Sequence, residues 1–311
     1  MSRRLLPRLA SAAACVLGLL PLLGCSAIGT TARPSPTALG PVATAALAGA
    51  APGRTDPAPR MTLADPLRLV VLGDSVALAT AGCDHCLGFD RQYATYLRTV
   101  TGRSVLLDNL ALPQGDVAGL RLALTSDERE AIVATADIVV VSVGFDDGPP
   151  WRPGDPCRAR PPGSVREWAA AMRRLTPGCV ADTLSRYAAE LDGVYATVER
   201  LAAGHPQVRV ALGTYNPRVG NPDVLGRSVP AGEREAVMAT SVAIAMEWNR
   251  MDCATARRHG FVCADIWRAF NGADGREQLR YLYGRDGLHP SATGQLEITE
   301  RLAAIDISTV R

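Results

Sequence analysis

Net charge is nearly absent from this 311-residue sequence: 33 basic residues stand against 31 acidic ones, so a polyanionic partner is not favoured and nucleic-acid binding has no support. No glycine-rich phosphate fingerprint follows the first predicted strand, which excludes a dinucleotide-binding domain. Only one Cys-X-X-Cys pair occurs, Cys83-Asp84-His85-Cys86, and no second cluster follows to complete a zinc or redox site. Neither a metal nor an organic cofactor is expected. The apolar stretch from Leu9 to Leu23 is too short for a comfortable membrane span.

What is present at the N-terminus reads as export. Ser2-Arg3-Arg4 ahead of the apolar stretch makes residues 1–25 a targeting segment that is expected to be removed. Leu22-Leu23-Gly24-Cys25 resembles the lipobox of bacterial lipoproteins, in which the cysteine becomes the lipidated first residue; an ordinary secretory peptide or an uncleaved anchor is the alternative. Residues 26–65 are rich in Ala, Pro, Thr and Gly and cannot bury enough surface to offset their ordering entropy. They form the expected tether between a lipid on Cys25 and a domain over residues 66–311. The expected location is the outer face of the bacterial cytoplasmic membrane.

Setting aside Cys15 and Cys25 leaves six of the eight cysteines, an even set suited to an oxidising compartment. Proximity in sequence favours Cys83 with Cys86, Cys157 with Cys179, and Cys253 with Cys263.

The chemistry is carried by two distant stretches. The apolar run Leu69-Val70-Val71-Leu72 ends in Gly73-Asp74-Ser75, a sharp exit at a sheet's carboxyl edge, with Ser75 at the expected N-terminus of a helix through Val76-Ala77-Leu78-Ala79. A hydroxyl there faces free N–H groups and suits a nucleophile whose attack creates an oxyanion. A helix cap would use the same residues. Near the other end, Asp286-Gly287-Leu288-His289-Pro290 offers a base in His289 and an orienting acid in Asp286. Ordinary turn chemistry ahead of the helix starting near Ser291 would use these residues as well.

Together, and in this order, Gly73-Asp74-Ser75 and Asp286-Gly287-Leu288-His289-Pro290 resemble the first and last blocks of the SGNH/GDSL hydrolases, over roughly residues 67–304. The resemblance implies a flavodoxin-like α/β/α fold and ester-bond or deacetylation chemistry. It implies a glycine whose N–H faces the oxyanion, matched by Gly115 in Pro113-Gln114-Gly115-Asp116; a tight turn with positive φ would also want a glycine. It also implies an Asn amide donor after the third strand, where Gly144-Phe145-Asp146-Asp147 places Asp146 instead. An ionised carboxylate only accepts hydrogen bonds and repels developing negative charge. The expected oxyanion set is therefore Ser75, Gly115 and Asp146, with Asp146 the departure.

Between the blocks, Val105-Leu106-Leu107, 137–143, 208–212 and 261–265 read as strands. Residues 89–99, 121–134, 165–175, 183–203, 231–259 and 291–304 read as helices. Five strands alternating with helices predict a three-layer α/β/α domain, flavodoxin-like, with a parallel five-stranded sheet. The proline-rich insertion after Gly148 offers Trp151 as a substrate contact, and the loop after the fourth strand offers Tyr215 and Asn216. His205 reads as a turn residue and His259 as a helix-end cation.

The reading is an exported, lipid-anchored serine hydrolase that cleaves a carboxylic ester of a lipid, an acetylated glycan or a small alcohol. The alternative is an envelope protein of the same fold that binds cell-wall glycan or lipid without turnover. Expected partners are the ester substrate and, through Cys25, the membrane; a monomer is expected.

Overall fold

The computed structural model describes residues 65–78, 82–83, 85–147, 157, 165–219 and 229–310. The targeting segment, Cys25, the tether and Trp151 lie outside the described residues.

Five parallel strands form one sheet: β1 Leu67–Gly73, β2 Val105–Asn109, β3 Ile138–Ser142, β4 Val208–Leu212 and β5 Val262–Ala264, in the order β2-β1-β3-β4-β5. This is the expected three-layer architecture. The chain runs outward from β1 to β2, then crosses back to lay β3 on the other side of β1. Val71 therefore pairs with Asn109 on one side and Val140 on the other, and Gly73 pairs with Ser142. That reversal leaves a crevice beyond the carboxyl ends of β1 and β3, where connections diverge to opposite faces.

Both sheet faces are covered, so the central strands are apolar throughout instead of alternating. On one face Leu69, Val71, Ile138, Val140, Val210 and Leu212 pack under α1, Phe89–Thr101, through Phe89, Tyr93 and Leu97. The C-terminal helix Ala292–Ala303 joins them through Ile298 and Leu302. On the other face Val70, Leu72, Val139 and Val141 meet α2, Val117–Ala123, and α3, Asp127–Ala134. The long helices α5, Pro177–Leu201, and α6, Ala231–Arg258, complete that layer, and α4, Val165–Met172, packs beside α6. Each fully buried Val or Leu here contributes about 1.5–3 kcal/mol.

Two boundaries differ from the sequence reading. The helix expected over 121–134 is two helices: Asp116 caps α2 by accepting from the Gly119 N–H at 2.7 Å, and Ser126 caps α3. Hydroxyl and carboxylate side chains outbid the continuous helix for backbone donors. Helix α5 starts earlier than expected, at Pro177, because Thr176 caps it and a proline at the first position loses no hydrogen bond.

The three expected disulfides are present: Cys83–Cys86, Cys157–Cys179 and Cys253–Cys263. Among the described residues, no helix is long and apolar enough to cross a membrane.

Candidate active site

The site lies at the β1/β3 crevice and begins with Gly73. Its φ is 148°, and a Cβ there would stand 1.8 Å from the Ser142 carbonyl oxygen, so only glycine lets β1 leave the sheet alongside β3. The Asp74 N–H then donates to the Ser142 carbonyl at 3.0 Å. The Asp74 side chain is buried and works as a tie between two strand ends: Oδ1 accepts from the Val76 N–H at 2.9 Å and Oδ2 from the Phe145 N–H at 3.1 Å. Burial raises its carboxyl to about 7, against the opposing pull of those N–H groups.

Ser75 follows, but not at the start of a regular helix as expected. Residues 75–78 form a single turn closed by the Leu78 N–H to the Asp74 carbonyl at 3.1 Å. Further on, Gly82 takes φ 77° and Cys83 is bridged to Cys86.

His289 comes from the loop between Gly284 and the last helix, designated α8 (Ala292–Ala303), α7 being Trp267–Asn271. Asp286 Oδ1 accepts the N–H groups of Leu288 at 2.9 Å and His289 at 3.0 Å, folding the loop onto its own carboxylate. The Gly284 N–H donates to the His289 carbonyl at 2.7 Å. What results is a continuous chain: Asp286 Oδ2 lies 2.6 Å from His289 Nδ1, and His289 Nε2 lies 3.1 Å from Ser75 Oγ. Residues 214 apart in sequence are thus within proton-transfer reach. Burial pushes the Asp286 carboxyl up, but the hydrogen bonds from His289 and the two backbone N–H groups outweigh it and hold the group below the usual carboxylate range. With Nδ1–H committed to Asp286, Nε2 is left as the acceptor facing the hydroxyl.

Phe145, on the turn after β3, stacks its ring 6.3 Å from His289 and 5.8 Å from Tyr215. That turn needs Gly144: at φ 117°, a Cβ would enter the indole of Trp248 at 2.3 Å. Asp146 stands next to it, half-buried. Burial raises its carboxyl, offset by the charges of Arg218 and His289 and reinforced by Asp116. Asp147 is fully buried and accepts from the Val117 N–H at 3.0 Å, fixing α2 to the same turn.

Three of the expected site residues make other bonds in the structure. The Gly115 N–H is spent on the Leu112 carbonyl at 3.1 Å, closing a turn in which Gln114, not Gly115, takes the positive φ of 54°. In this arrangement the Gly115 N–H is engaged by that carbonyl. Tyr215 is buried, stacked 4.5 Å from Phe270, with its hydroxyl donating to the Leu288 carbonyl at 2.8 Å. Asn216 is buried as well, with its N–H on Asn271 Oδ1 at 2.7 Å and its amide on Ser241 Oγ at 2.6 Å. Both side chains are committed to the interior, Tyr215 in an apolar cluster and Asn216 in a polar one.

Tyr215 instead supports the histidine loop. Tyr215→Phe is expected to lower kcat several-fold with KM unchanged, and to cost about 1 kcal/mol of stability; steady-state kinetics beside urea unfolding check this, and a rise in KM alone would restore the substrate-contact reading.

Sequence reasoning missed Asp74 as a tie between two strand ends. The signal for Asp74 was its place between a strand-ending glycine and Ser75. Among the described residues, no group of three or more His, Cys, Asp or Glu is placed to hold a metal ion.

A parallel 2-1-3-4-5 sheet with a hydroxyl, an imidazole and a carboxylate in hydrogen-bond sequence at its switch point defines the SGNH/GDSL class. The sequence matches the GDSL-like Lipase/Acylhydrolase family over residues 71–296, and the chain belongs to that family: it is an ester-hydrolysing enzyme. Among solved structures it is similar to the lipase Lip_vut3 from a goat rumen metagenome, at 15% identity and TM-score 0.55, over 76% of this chain and 96% of that one. It is also similar to a putative GDSL-like lipase from Parabacteroides merdae, at 13% identity and TM-score 0.50, over 78% and 96%. No curated protein matches the chain.

Proposed function

We propose that the protein is an exported, lipid-anchored serine hydrolase that cleaves a carboxylic ester through an acyl-Ser75 intermediate. The observation that carries the catalytic part is the unbroken sequence Asp286–His289–Ser75, at 2.6 and 3.1 Å. Ser75 Oγ attacks the ester carbonyl carbon while its proton passes to His289 Nε2. The same proton then goes to the departing alcohol oxygen as the carbon–oxygen bond breaks, leaving the acyl group on Ser75. Water enters, gives a proton to His289 and attacks the acyl carbon; the bond from that carbon to Ser75 Oγ then breaks as His289 returns the proton to Oγ, releasing the acid and restoring both groups. Asp286 holds the tautomer and stabilises the transient imidazolium. The Ser75 N–H is the oxyanion donor in this reading, since the Asp74 carboxylate takes the neighbouring Val76 N–H instead.

Export is supported by three disulfides in one small domain, a pattern of oxidising compartments. Anchoring is supported by Leu22-Leu23-Gly24-Cys25 directly after the apolar stretch, and by the Ala-, Pro- and Thr-rich composition of 26–65, which suits a tether to a lipid on Cys25. The substrate class is the ester of a lipid, an acetylated glycan or a small alcohol, acted on by a monomer.

A fluorophosphonate probe is expected to label the wild-type protein at Ser75 and to leave Ser75→Ala unlabelled, with a panel of nitrophenyl esters of increasing chain length reporting acyl preference. A folded wild-type protein that takes no label ends the acyl-serine reading. Globomycin, which blocks lipoprotein signal cleavage, is expected to retain the longer precursor in membranes.

A further inference from the structure

The turn that carries Ser75 is a single one, over residues 75–78, and one helical turn does not hold itself in water. Its shape comes from bonds at both ends. At its start, Asp74 ties it to the end of β3 through the Phe145 N–H. At its far end, the carbonyl of buried Ala77 accepts from Asn109 Nδ2 at 2.8 Å, and Asn109 is the last residue of β2.

The Asn109 amide is bonded at both of its ends. Nδ2 donates its other proton to Asp90 Oδ2 at 3.0 Å, and Oδ1 accepts from the Ala111 N–H at 3.1 Å. Two acceptors on one side and a donor on the other fix which way the amide points, since a flipped amide would set its oxygen against a carbonyl and a carboxylate. Asp90 is buried in the first turn of α1, and its Oδ1 accepts from the Arg91 N–H at 2.8 Å. The Ser75 turn is thereby referred to that helix end. His289 is referred to it as well: the Phe89 N–H, one residue earlier, donates at 2.9 Å to Oε1 of buried Gln295, in α8, the helix that follows the His289 loop. Nucleophile and base are thus hung from adjacent residues of one helix.

We infer that Asn109 is a positioning residue for the hydrolysis: through the Ala77 carbonyl it holds the Ser75 turn at the distance from His289 that proton transfer requires. The inference rests on the acyl-serine reading above. No proton or bond changes hands at Asn109. Its effect lies in the 3.1 Å separation of Ser75 Oγ from His289 Nε2, where a displacement of about 1 Å costs on the order of 100-fold in rate. That loss falls on the chemical step, so it belongs in kcat more than in KM.

Turnover of p-nitrophenyl acetate, counted per Ser75 labelled to completion with a fluorophosphonate, tests this. Partial unfolding lowers the number of labelled sites but not the turnover of each. Asn109→Ala is expected to lower kcat per labelled site about 10- to 100-fold, with KM within about twofold of wild type. Asp90→Ala, which frees the amide to turn, is expected to lose about 3- to 10-fold, and adding it to Asn109→Ala is expected to cost no more than about twofold, because both act through one bond. If Asn109→Ala does not fold, Asn109→Ser, too short to bridge Ala77 and Asp90, reads the same turnover. Unchanged turnover per site in a folded variant, a loss confined to KM, or losses that multiply in the double variant overturn the assignment. Labelling separates the two ideas: a labelled wild-type protein beside an Asn109→Ala protein at full turnover overturns Asn109 alone, whereas a folded wild-type protein that takes no label overturns the acyl-serine reading beneath it.

Discussion

Replacing His289 by alanine is expected to lower kcat on a nitrophenyl ester by about 10⁵-fold, and adding Ser75→Ala to that variant is expected to cost almost nothing more. The reason lies in the single path of the proton. Ser75 Oγ has its imidazole at 3.1 Å and that imidazole has its carboxylate at 2.6 Å, so removing the middle member leaves a hydroxyl with no base and a carboxylate with nothing to orient. Groups that act as one unit lose their function together, and their separate deletions do not add. Asp286→Asn should fall between, on the order of 10³- to 10⁴-fold, because its amide favours the wrong tautomer of His289. Single-turnover measurement on these three variants and on Ser75→Ala alone is the check. A double variant much slower than either single one would mean that the two residues serve different steps.

The second large effect concerns stability and lies away from the site. Asp252, on α6, is 3% exposed and accepts a 2.5 Å hydrogen bond from the Tyr195 hydroxyl on α5. Burial raises its carboxyl to about 7, although the Tyr195 hydrogen bond pulls the other way. The folded state therefore favours the protonated acid. Its stabilising contribution is complete below the ordinary carboxylate value of 3.8 and is lost as pH rises through about 7. Asp252→Asn retains an acceptor for Tyr195 and cannot ionise. Relative to wild type, it is expected to gain roughly 3 kcal/mol more in urea unfolding at about pH 8 than at about pH 4.5. A difference between variant and wild type that does not change with pH would show that Asp252 is not the buried acid described. Asp74, raised to about 7 in the site, contributes in the same direction and remains in both proteins, so it cancels in the comparison.

Helix and strand placement followed from local pattern wherever one interaction dominated. The continuous apolar runs of β1 and β3 admit few alternatives to a buried parallel strand, and all three cysteine pairs close over short stretches of chain. Caps were harder to read. The break between α2 and α3 depends on Asp116 and Ser126 competing for N–H groups, an effect of about 1 kcal/mol that periodicity does not display. Side-chain destinations in loops were harder again: Tyr215 and Asn216 occupy the carboxyl edge of the sheet, where substrates bind, yet both turn inward to bonds supplied by residues 25 to 73 positions away.

The order and identity of Gly73-Asp74-Ser75 and Asp286 to Pro290, together with the alternation of strands and helices, determined from sequence alone the architecture, the family and the three groups that meet. Those depend on residue type and short spacing, which a linear chain states outright. Tertiary structure alone decided that the Gly115 N–H closes a turn, that Asp74 ties two strand ends, and that Tyr215 holds the Leu288 carbonyl. Each depends on which distant donor, acceptor or charge arrives first at a buried group, and that competition is settled only when the layers have packed.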